Sequence, residues 1–95
     1  LPSRQQRRYT AKRKVKFAEL RALKAKRTRE HATRTKKLPK AQRDKQRREF
    51  KQNVGQQYKE VVKRFPPAHG INDLQTIRKL IEKIDRVRLH LKKIG

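Results

Sequence analysis

The feature that most constrains the fold is a sustained apolar stripe over residues 71–94, because no other segment of the chain carries one of that length. Its apolar residues recur at alternating spacings of three and four, which places them on one side of an α-helix. Asn72 and Gln75 have the spacing of a helix-capping box, and Gly95 suits the helix end. The pattern therefore predicts one helix that packs through Ile77, Leu80, Ile84, Val87, Leu91 and Ile94.

A shorter apolar stripe precedes it and ends at a proline corner. The corner Phe65-Pro66-Pro67 is followed closely by Gly70, and a proline biases the residue before it away from helical dihedral angles. Two apolar helices joined by a short connection are expected to pack as an αα-hairpin, and this hairpin is the only candidate core that the sequence suggests. The packing residues predicted on its first helix are Phe50, Val54, Tyr58, Val61 and Phe65.

The rest of the chain predicts helices without a broad apolar face. Residues 10–35 lack Pro and Gly and are rich in good helix formers, while Pro39 breaks the pattern and suits the first turn of a second helix. We expect an all-α fold of extended, highly basic helices with a C-terminal αα-hairpin and little independent core. The predicted parts are an extended basic arm over residues 1–9, a basic RNA-binding helical region over 10–53 and a helical packing module over 54–95.

The charge of the chain indicates a polyanionic partner. Its 95 residues include 31 Lys or Arg against 8 Asp or Glu, a net charge of +23, and only 32% are hydrophobic. Residues 1–53 alone have a net charge of +17, against +6 for residues 54–95. Because self-repulsion of this size opposes compaction and a small apolar fraction supports little core, we expect RNA or DNA to neutralise the chain.

Among nucleic acids, folded RNA fits best. The sequence has no zinc-finger spacing, no aromatic RNA-sheet motif and no leucine-zipper basic region of full length. Long basic helices with few aromatic residues are typical of recognition through backbone and shape. The candidate RNA-binding residues are Arg4, Arg7, Arg8, Tyr9, Lys12, Arg13, Lys14, Lys16, Arg21, Lys24, Lys26, Arg27, Arg29, Arg34, Lys36, Lys37, Lys40, Arg43, Arg47 and Arg48.

No constellation for catalysis is present in the sequence. His31, His69 and His90 are far apart in sequence, Ser3 is the only serine, and no phosphate-binding or dinucleotide glycine motif occurs. We therefore expect no enzyme activity, cofactor, metal or small-molecule substrate. No apolar run has the length of a membrane span, so no membrane partner is expected. His69 beside the prolines has a ring suited to stacking on a base or binding a phosphate.

Four short segments resemble parts of a known family. They are Pro2-Ser3-Arg4-Gln5, Leu20-Arg21-Ala22 within residues 17–24, the Arg-rich residues 42–49, and Phe65-Pro66-Pro67. In this order, and over about two thirds of the chain, they resemble a small mitochondrion-specific protein of the large ribosomal subunit. The chain departs from that pattern by being far more basic and by its longer C-terminal helix. The resemblance implies a structural subunit in the mitochondrial matrix, wedged among ribosomal RNA helices and neighbouring ribosomal proteins.

The leading hypothesis is a structural constituent of the ribosome, in which residues 1–53 lie along ribosomal RNA while the hairpin docks on protein or caps an RNA surface. A nucleolar ribosome-assembly factor has the same chemistry and remains an alternative. A third hypothesis is a protein-interaction module whose last helix pairs with a partner coiled coil, with the basic half as a localisation tail.

Overall fold

A computed structural model of the chain describes residues 3–92, and these form three α-helices. Helix α1 spans Arg4–Thr35, α2 spans Lys40–Arg64 and α3 spans Leu74–Arg86, with a 3₁₀ turn at Ala68–Gly70. The molecule measures 54 × 19 × 18 Å, and its radius of gyration of 16.9 Å exceeds the roughly 12 Å expected for a compact chain of this length. The predicted all-α class, with extended helices and little core, is confirmed.

Helix α1 begins earlier than predicted because a capping box closes its first turn. The hydroxyl of Ser3 accepts a hydrogen bond from the Gln6 backbone N–H at 3.1 Å, and the Gln6 side-chain oxygen accepts one from the Ser3 N–H at 2.8 Å. Two backbone donors of the helix start are thereby satisfied. The prediction of an extended arm over residues 1–9 is wrong from Arg4 onward, while residues 1 and 2 lie outside the described residues.

Helices α1 and α2 form a long antiparallel pair. The chain reverses after α1 and enters α2 directly behind Pro39, where the sequence predicted a break. Near the reversal, the rings of His31 and Phe50 stack with centroids 4.4 Å apart. Further along, Phe17 meets Tyr58 edge to face at 5.8 Å. The earlier residue of α1 pairs with the later residue of α2, so the two helices run side by side in opposite directions.

The last third of the chain folds back onto α1 rather than mainly onto α2. Helix α3 has its extensive packing against α1, and the 3₁₀ turn also lies on α1. The core is therefore shared by all three helices, whereas the sequence suggested a core made by the last two alone. α1 fills this role because it contributes the large side chains Tyr9, Phe17 and Leu20 to a single apolar cluster. The other buried apolar residues are Phe50, Val54, Val61, Phe65, Ala68, Ile77, Leu80, Ile81, Ile84 and Leu91.

The start of α3 is capped by Asp73, not by Asn72 as predicted. The Asp73 carboxylate accepts hydrogen bonds from the Gln75 backbone N–H at 3.1 Å and from the Thr76 hydroxyl at 2.8 Å. These donors stabilise the charged form, led by the Thr76 hydroxyl, and lower the pKa of Asp73. A carboxylate at this position also faces the positive end of the helix dipole.

Helix α3 ends at Arg86, so the predicted continuation of the helix through residue 94 is wrong for residues 87–92. Val87 has extended backbone dihedral angles, and residues 87–92, which we call the extended segment, form neither a helix nor a strand. Val87 and Leu89 are partly buried and Leu91 fully, while the side chains between them face solvent. This alternation is the period of two expected of a strand-like segment, and the sequence already contains it. Ile94 and Gly95 lie outside the described residues.

Candidate nucleic-acid interface

Four of the predicted RNA-binding cations are instead used to hold the folded-back segment on α1. Their long side chains reach an acidic group or backbone carbonyls at the end of α2, in α3 and in residues 87–92. These bonds satisfy carbonyls that no strand or helix partner serves. The contacts are Lys12 to the Asp85 carboxylate at 2.6 Å, Arg13 to the Phe65 carbonyl at 2.8 Å, Lys16 to the Val87 carbonyl at 3.0 Å and Arg27 to the Leu91 carbonyl at 3.4 Å.

Tyr9 also has a structural position. Its side chain is 0% exposed, and its hydroxyl donates a 2.8 Å hydrogen bond to the carbonyl of Pro66. Burial raises the pKa of Tyr9, although the charge of Arg13 opposes the shift. The prediction that Tyr9 stacks on RNA is therefore wrong, because its ring faces the core and not solvent.

Six of the remaining predicted cations border a groove that runs along α1 and is bounded by residues 67–72 at one end and by α2 over the rest; they are Arg7, Lys14, Arg21, Lys24, Arg43 and Arg47. Three cavities lie along the groove: a corner cavity of about 710 Å³, a middle cavity of about 490 Å³ and an arm cavity of about 530 Å³. The corner and middle cavities share Thr10, Arg13 and Lys14. Between the middle and arm cavities, the ammonium of Lys24, which lines the arm cavity, lies 5.7 Å from the ring centre of Tyr58, which lines the middle cavity. We call the surface along these three cavities the interhelical groove.

The groove lies on a different face of α1 from the contacts with α3. Lys12, Lys16 and Arg27 bond to α3 and the extended segment. The groove residues of α1 are offset from them around the helix, because each residue turns the helix by about 100°. Measured along α1 from residue 7 to residue 35, the groove is about 42 Å long. Its α1 residues are Gln6, Arg7, Thr10, Ala11, Arg13, Lys14, Phe17, Arg21, Lys24, Thr28, His31, Ala32 and Thr35.

Helix α2 supplies the opposite wall of the groove near the helix reversal. Arg43, Arg47 and Lys51 follow one another at intervals of four, so all three point to the same side of the helix. Phe50 and Val54 form the apolar floor between them and α1. Lys51 was absent from the predicted RNA-binding residues, although its four-residue spacing from Arg47 was visible in the sequence.

Charge is concentrated where only α1 and α2 are present. We call residues 24–51 the arm; they include 13 Lys or Arg and 3 Asp or Glu, a net charge of +10. Two acidic residues of the arm pair with neighbours: Glu30 with Arg27 at 3.0 Å and Asp44 with Arg47 at 3.5 Å. These pairs leave most of the arm's positive charge uncompensated along the groove.

The interior of the arm contains one ionisable side chain. His31 is 8% exposed and stacks on Phe50. Burial, reinforced by the positive charge of Arg34, lowers the pKa of His31 below its usual value. The imidazole is therefore neutral near pH 7, and the charge of the arm lies on its surface.

The other predicted cations lie on exposed surface outside the groove walls. They are spread over the first turn of α1, the outer face of the arm and the helix reversal. Because the arm is narrow, a polyanion in the groove is also within electrostatic reach of many of them. These residues are Arg4, Arg8, Lys26, Arg29, Arg34, Lys36, Lys37, Lys40 and Arg48.

Comparison with known proteins gives no relative: no protein-family model, no curated protein and no solved structure matches the chain. Among residues 3–92, no helix is long and apolar enough to cross a membrane. The same residues contain no group of three or more His, Cys, Asp or Glu side chains placed to hold a metal ion. The interhelical groove is therefore the surface on which a functional proposal rests.

Proposed function

We propose that this protein is a structural constituent of a ribonucleoprotein particle that binds folded ribosomal RNA along the interhelical groove. The observation that carries the proposal is a groove about 42 Å long, estimated from the helical rise, with cations of α1 along its length and cations of α2 at its arm end. A nucleic-acid duplex presents one negative charge per about 1.7 Å of its axis, so a surface of this length and charge can neutralise many phosphates.

Recognition is proposed to act through phosphates and shape. Of the five aromatic residues, Tyr9, Phe17, Phe50 and Phe65 are buried and Tyr58 is partly buried. Proteins that read single strands through stacking need exposed aromatic platforms, which the groove lacks. Lys and Arg side chains bind phosphates without reading sequence, and this suits an RNA surface defined by its fold.

We further propose that the particle is the ribosome, specifically the mitochondrial large subunit, with ribosomal RNA and neighbouring ribosomal proteins as partners. The support is the combination of high positive charge, small core and the short segments that resemble a protein of that subunit. A chain with a core this small gains stability when RNA surrounds its charged helices, as happens inside a ribosomal subunit.

The test is the distribution of the tagged chain in a sucrose gradient of purified mitochondria, before and after a high-salt wash. We expect co-migration with the large subunit that survives the wash, because an RNA-interlocked protein resists the counterion competition that removes loose polycations. Absence from mitochondria, with signal in nuclear pre-ribosomal fractions, would overturn this proposal in favour of an assembly factor.

A charge variant separates RNA binding from a protein-interaction module. Deletion of residues 1–53 is unsuitable, because it would remove Tyr9, Phe17 and Leu20 from the core. We expect the triple change Arg43→Gln, Arg47→Gln and Lys51→Gln to release the protein from its particle at lower salt. Retention at unchanged salt would favour a module bound to a protein partner.

A further inference from the structure

The corner cavity is the part of the groove with the most distinct chemistry. It lies between the first turns of α1 and residues 67–72, and its volume of about 710 Å³ falls within the range of ~300–1,000 Å³ typical of small-ligand sites. Pro67, Ala68 and Ala11 give it an apolar lining. This combination of size and apolar surface suits a flat ligand as large as one nucleotide.

The back of the cavity is held in place by hydrogen bonds. The side-chain amide of Gln6 donates to the Ile71 carbonyl at 2.7 Å and to the Ala68 carbonyl at 3.4 Å. Arg13 donates to the Phe65 carbonyl at 2.8 Å. These bonds tie α1 to the corner on both sides of the prolines, so the cavity is formed before a ligand arrives.

The rim of the cavity has four polar side chains without a partner. Those of Thr10, Lys14, His69 and Asn72 make no hydrogen bond, ion pair or ring contact with any described residue, and all four are exposed. They supply an ammonium group, a hydroxyl, a planar ring and an amide that both donates and accepts. Together they match the phosphate, the sugar, the face and the edge of a nucleotide.

The position of the cavity on the groove indicates where such a nucleotide comes from. Thr10, Arg13 and Lys14 line both the corner cavity and the next cavity along the groove. An RNA backbone following the groove therefore passes the mouth of the corner cavity. A base inside a duplex is paired and stacked, whereas an unpaired base can be splayed out and bound.

We propose that the corner cavity takes one unstacked nucleotide of the bound RNA, with its base against Pro67, Ala68 and the His69 ring and its phosphate on Lys14. Asn72 bonds the edge of the base. This rests on the proposed function, because it takes the groove to be the path of the RNA. It adds a preference for RNA that is interrupted by an unpaired nucleotide.

The test compares two RNA hairpins of the same stem, one fully paired and one with a single-nucleotide bulge that carries the fluorescent base 2-aminopurine. We expect the full-length chain to bind the bulged hairpin about tenfold more tightly than the paired one. The 2-aminopurine emission is expected to change on binding, since the base leaves water for the cavity.

Matched variants locate the preference. Ala11→Trp fills the cavity from an exposed position of α1, and we expect it to lower the tenfold ratio between the two hairpin affinities to about one. Ala18→Trp is the control, because Ala18 is exposed on the same helix and lines none of the three cavities. His69→Ala is expected to weaken binding of the bulged hairpin alone.

The outcomes are distinguishable. Equal binding of the two hairpins by the unmodified chain, or a preference that survives Ala11→Trp, would overturn the cavity assignment and leave RNA binding by the groove intact. Tighter binding of AMP than of the bulged hairpin would also overturn it, in favour of a free-nucleotide site. Failure to bind either hairpin would overturn the proposed function itself.

Discussion

Helices α1 and α2 run through both the arm and the rest of the described chain, but α3 packs on them mainly outside the arm. We call residues 3–23 and 52–92 the core end; it contains twelve of the thirteen buried apolar residues, whereas the arm contains only Phe50. The core end has a net charge of +12 over 62 residues, while the arm has +10 over 28. In the core end, Lys12, Arg13 and Lys16 are bonded to other parts of the protein. In the arm, Arg27 reaches the folded-back segment, but most of the cations are available for a polyanion.

This difference indicates that the two parts of the α1–α2 pair are stabilised by different interactions. The core end is stabilised by burial of apolar surface, which is the largest favourable contribution to folding. The arm buries little beyond His31, Thr35 and Phe50 and depends on intrinsic helix propensity, which alone rarely maintains helices in water. We therefore expect the arm to be the less stable region without RNA and to gain the most from binding it.

The largest expected effect is the loss of Phe65 from the core end. Phe65 is 1% exposed, and truncation of a buried Phe to Ala typically costs about 3–5 kcal/mol. Domains have only about 5–15 kcal/mol of total stability, so Phe65→Ala is expected to remove much of the cooperative unfolding transition. Urea unfolding followed by circular dichroism measures this.

Phe50→Ala is the matched change in the arm, since Phe50 is also nearly fully buried. Here we expect faster amide hydrogen exchange in the arm alone, with the core end retaining its protection. Loss of protection throughout the molecule in Phe50→Ala would contradict the division into two regions.

The comparison also explains which parts of the fold could be predicted from the sequence. The helix breaks near Pro39 and Pro66 were predictable because proline acts locally on the backbone. The apolar face of α1 was not, because Tyr9, Phe17 and Leu20 are separated by Arg13 and other cations that weaken the periodic pattern. Those cations fit among apolar residues only because they bond to carbonyls more than fifty residues away, which no local pattern reveals.

The candidate site was predictable in kind but not in detail. Charge identified the cations that are proposed to bind RNA. Lys14 and Lys16, however, look alike in sequence and differ only in which side of α1 they occupy. Lys16 bonds to the Val87 carbonyl, whereas Lys14 lines the groove. Which cations remain at the groove depends on where the extended segment lies. Val87 and Leu91 are four residues apart, a spacing that also fits a helix, so the period of two in this segment was not recognised from the sequence.

The second prediction tests whether the arm binds RNA more strongly than the core end. Removal of three phosphate contacts by Arg43→Gln, Arg47→Gln and Lys51→Gln is expected to reduce the salt dependence of binding by about 3 units of slope. Affinity for a folded ribosomal RNA fragment at 0.15 M salt is then expected to fall on the order of a hundredfold. Fluorescence anisotropy over a salt series measures both.

The control for that prediction removes the same charge from the exposed surface of α3, through Arg78→Gln, Lys79→Gln and Lys83→Gln. These cations lie outside the interhelical groove, so their loss is expected to act only through long-range attraction, which salt screens. An equal drop in affinity for both triple variants would show that net charge, and not the groove, determines binding.

The third prediction compares the two tyrosines. Tyr9→Phe leaves the partly buried Pro66 carbonyl without its 2.8 Å hydrogen bond, and an unsatisfied buried group costs about 1–3 kcal/mol, so a loss of stability toward the lower end of that range is expected. Tyr58 is partly buried and its hydroxyl bonds to no described residue, so Tyr58→Phe is expected to leave stability nearly unchanged. Comparable unfolding midpoints for the two variants would contradict the role of Tyr9 as an anchor of the corner.

The smallest effect is a pH dependence confined to the arm. Burial lowers the pKa of His31 in the folded arm, so the unfolded arm binds the proton more readily. Stability of the arm is therefore full above the unfolded value of about 6.5 and decreases as the pH falls below it. We expect Cα chemical shifts of the arm to move toward random-coil values between pH 7.5 and 5.5, while those of α3, which contains no histidine, stay constant.

His31→Phe separates this titration from other effects of acid. A phenyl ring can retain the stack on Phe50 without taking up a proton, so the arm of the variant is expected to show the same shifts at both pH values. If the variant loosens at pH 5.5 as much as the unmodified chain, the arm responds to its surface charges and not to His31. The pH series would then report the repulsion among the exposed Lys and Arg side chains of the arm. Their high density is what distinguishes the arm from the core end.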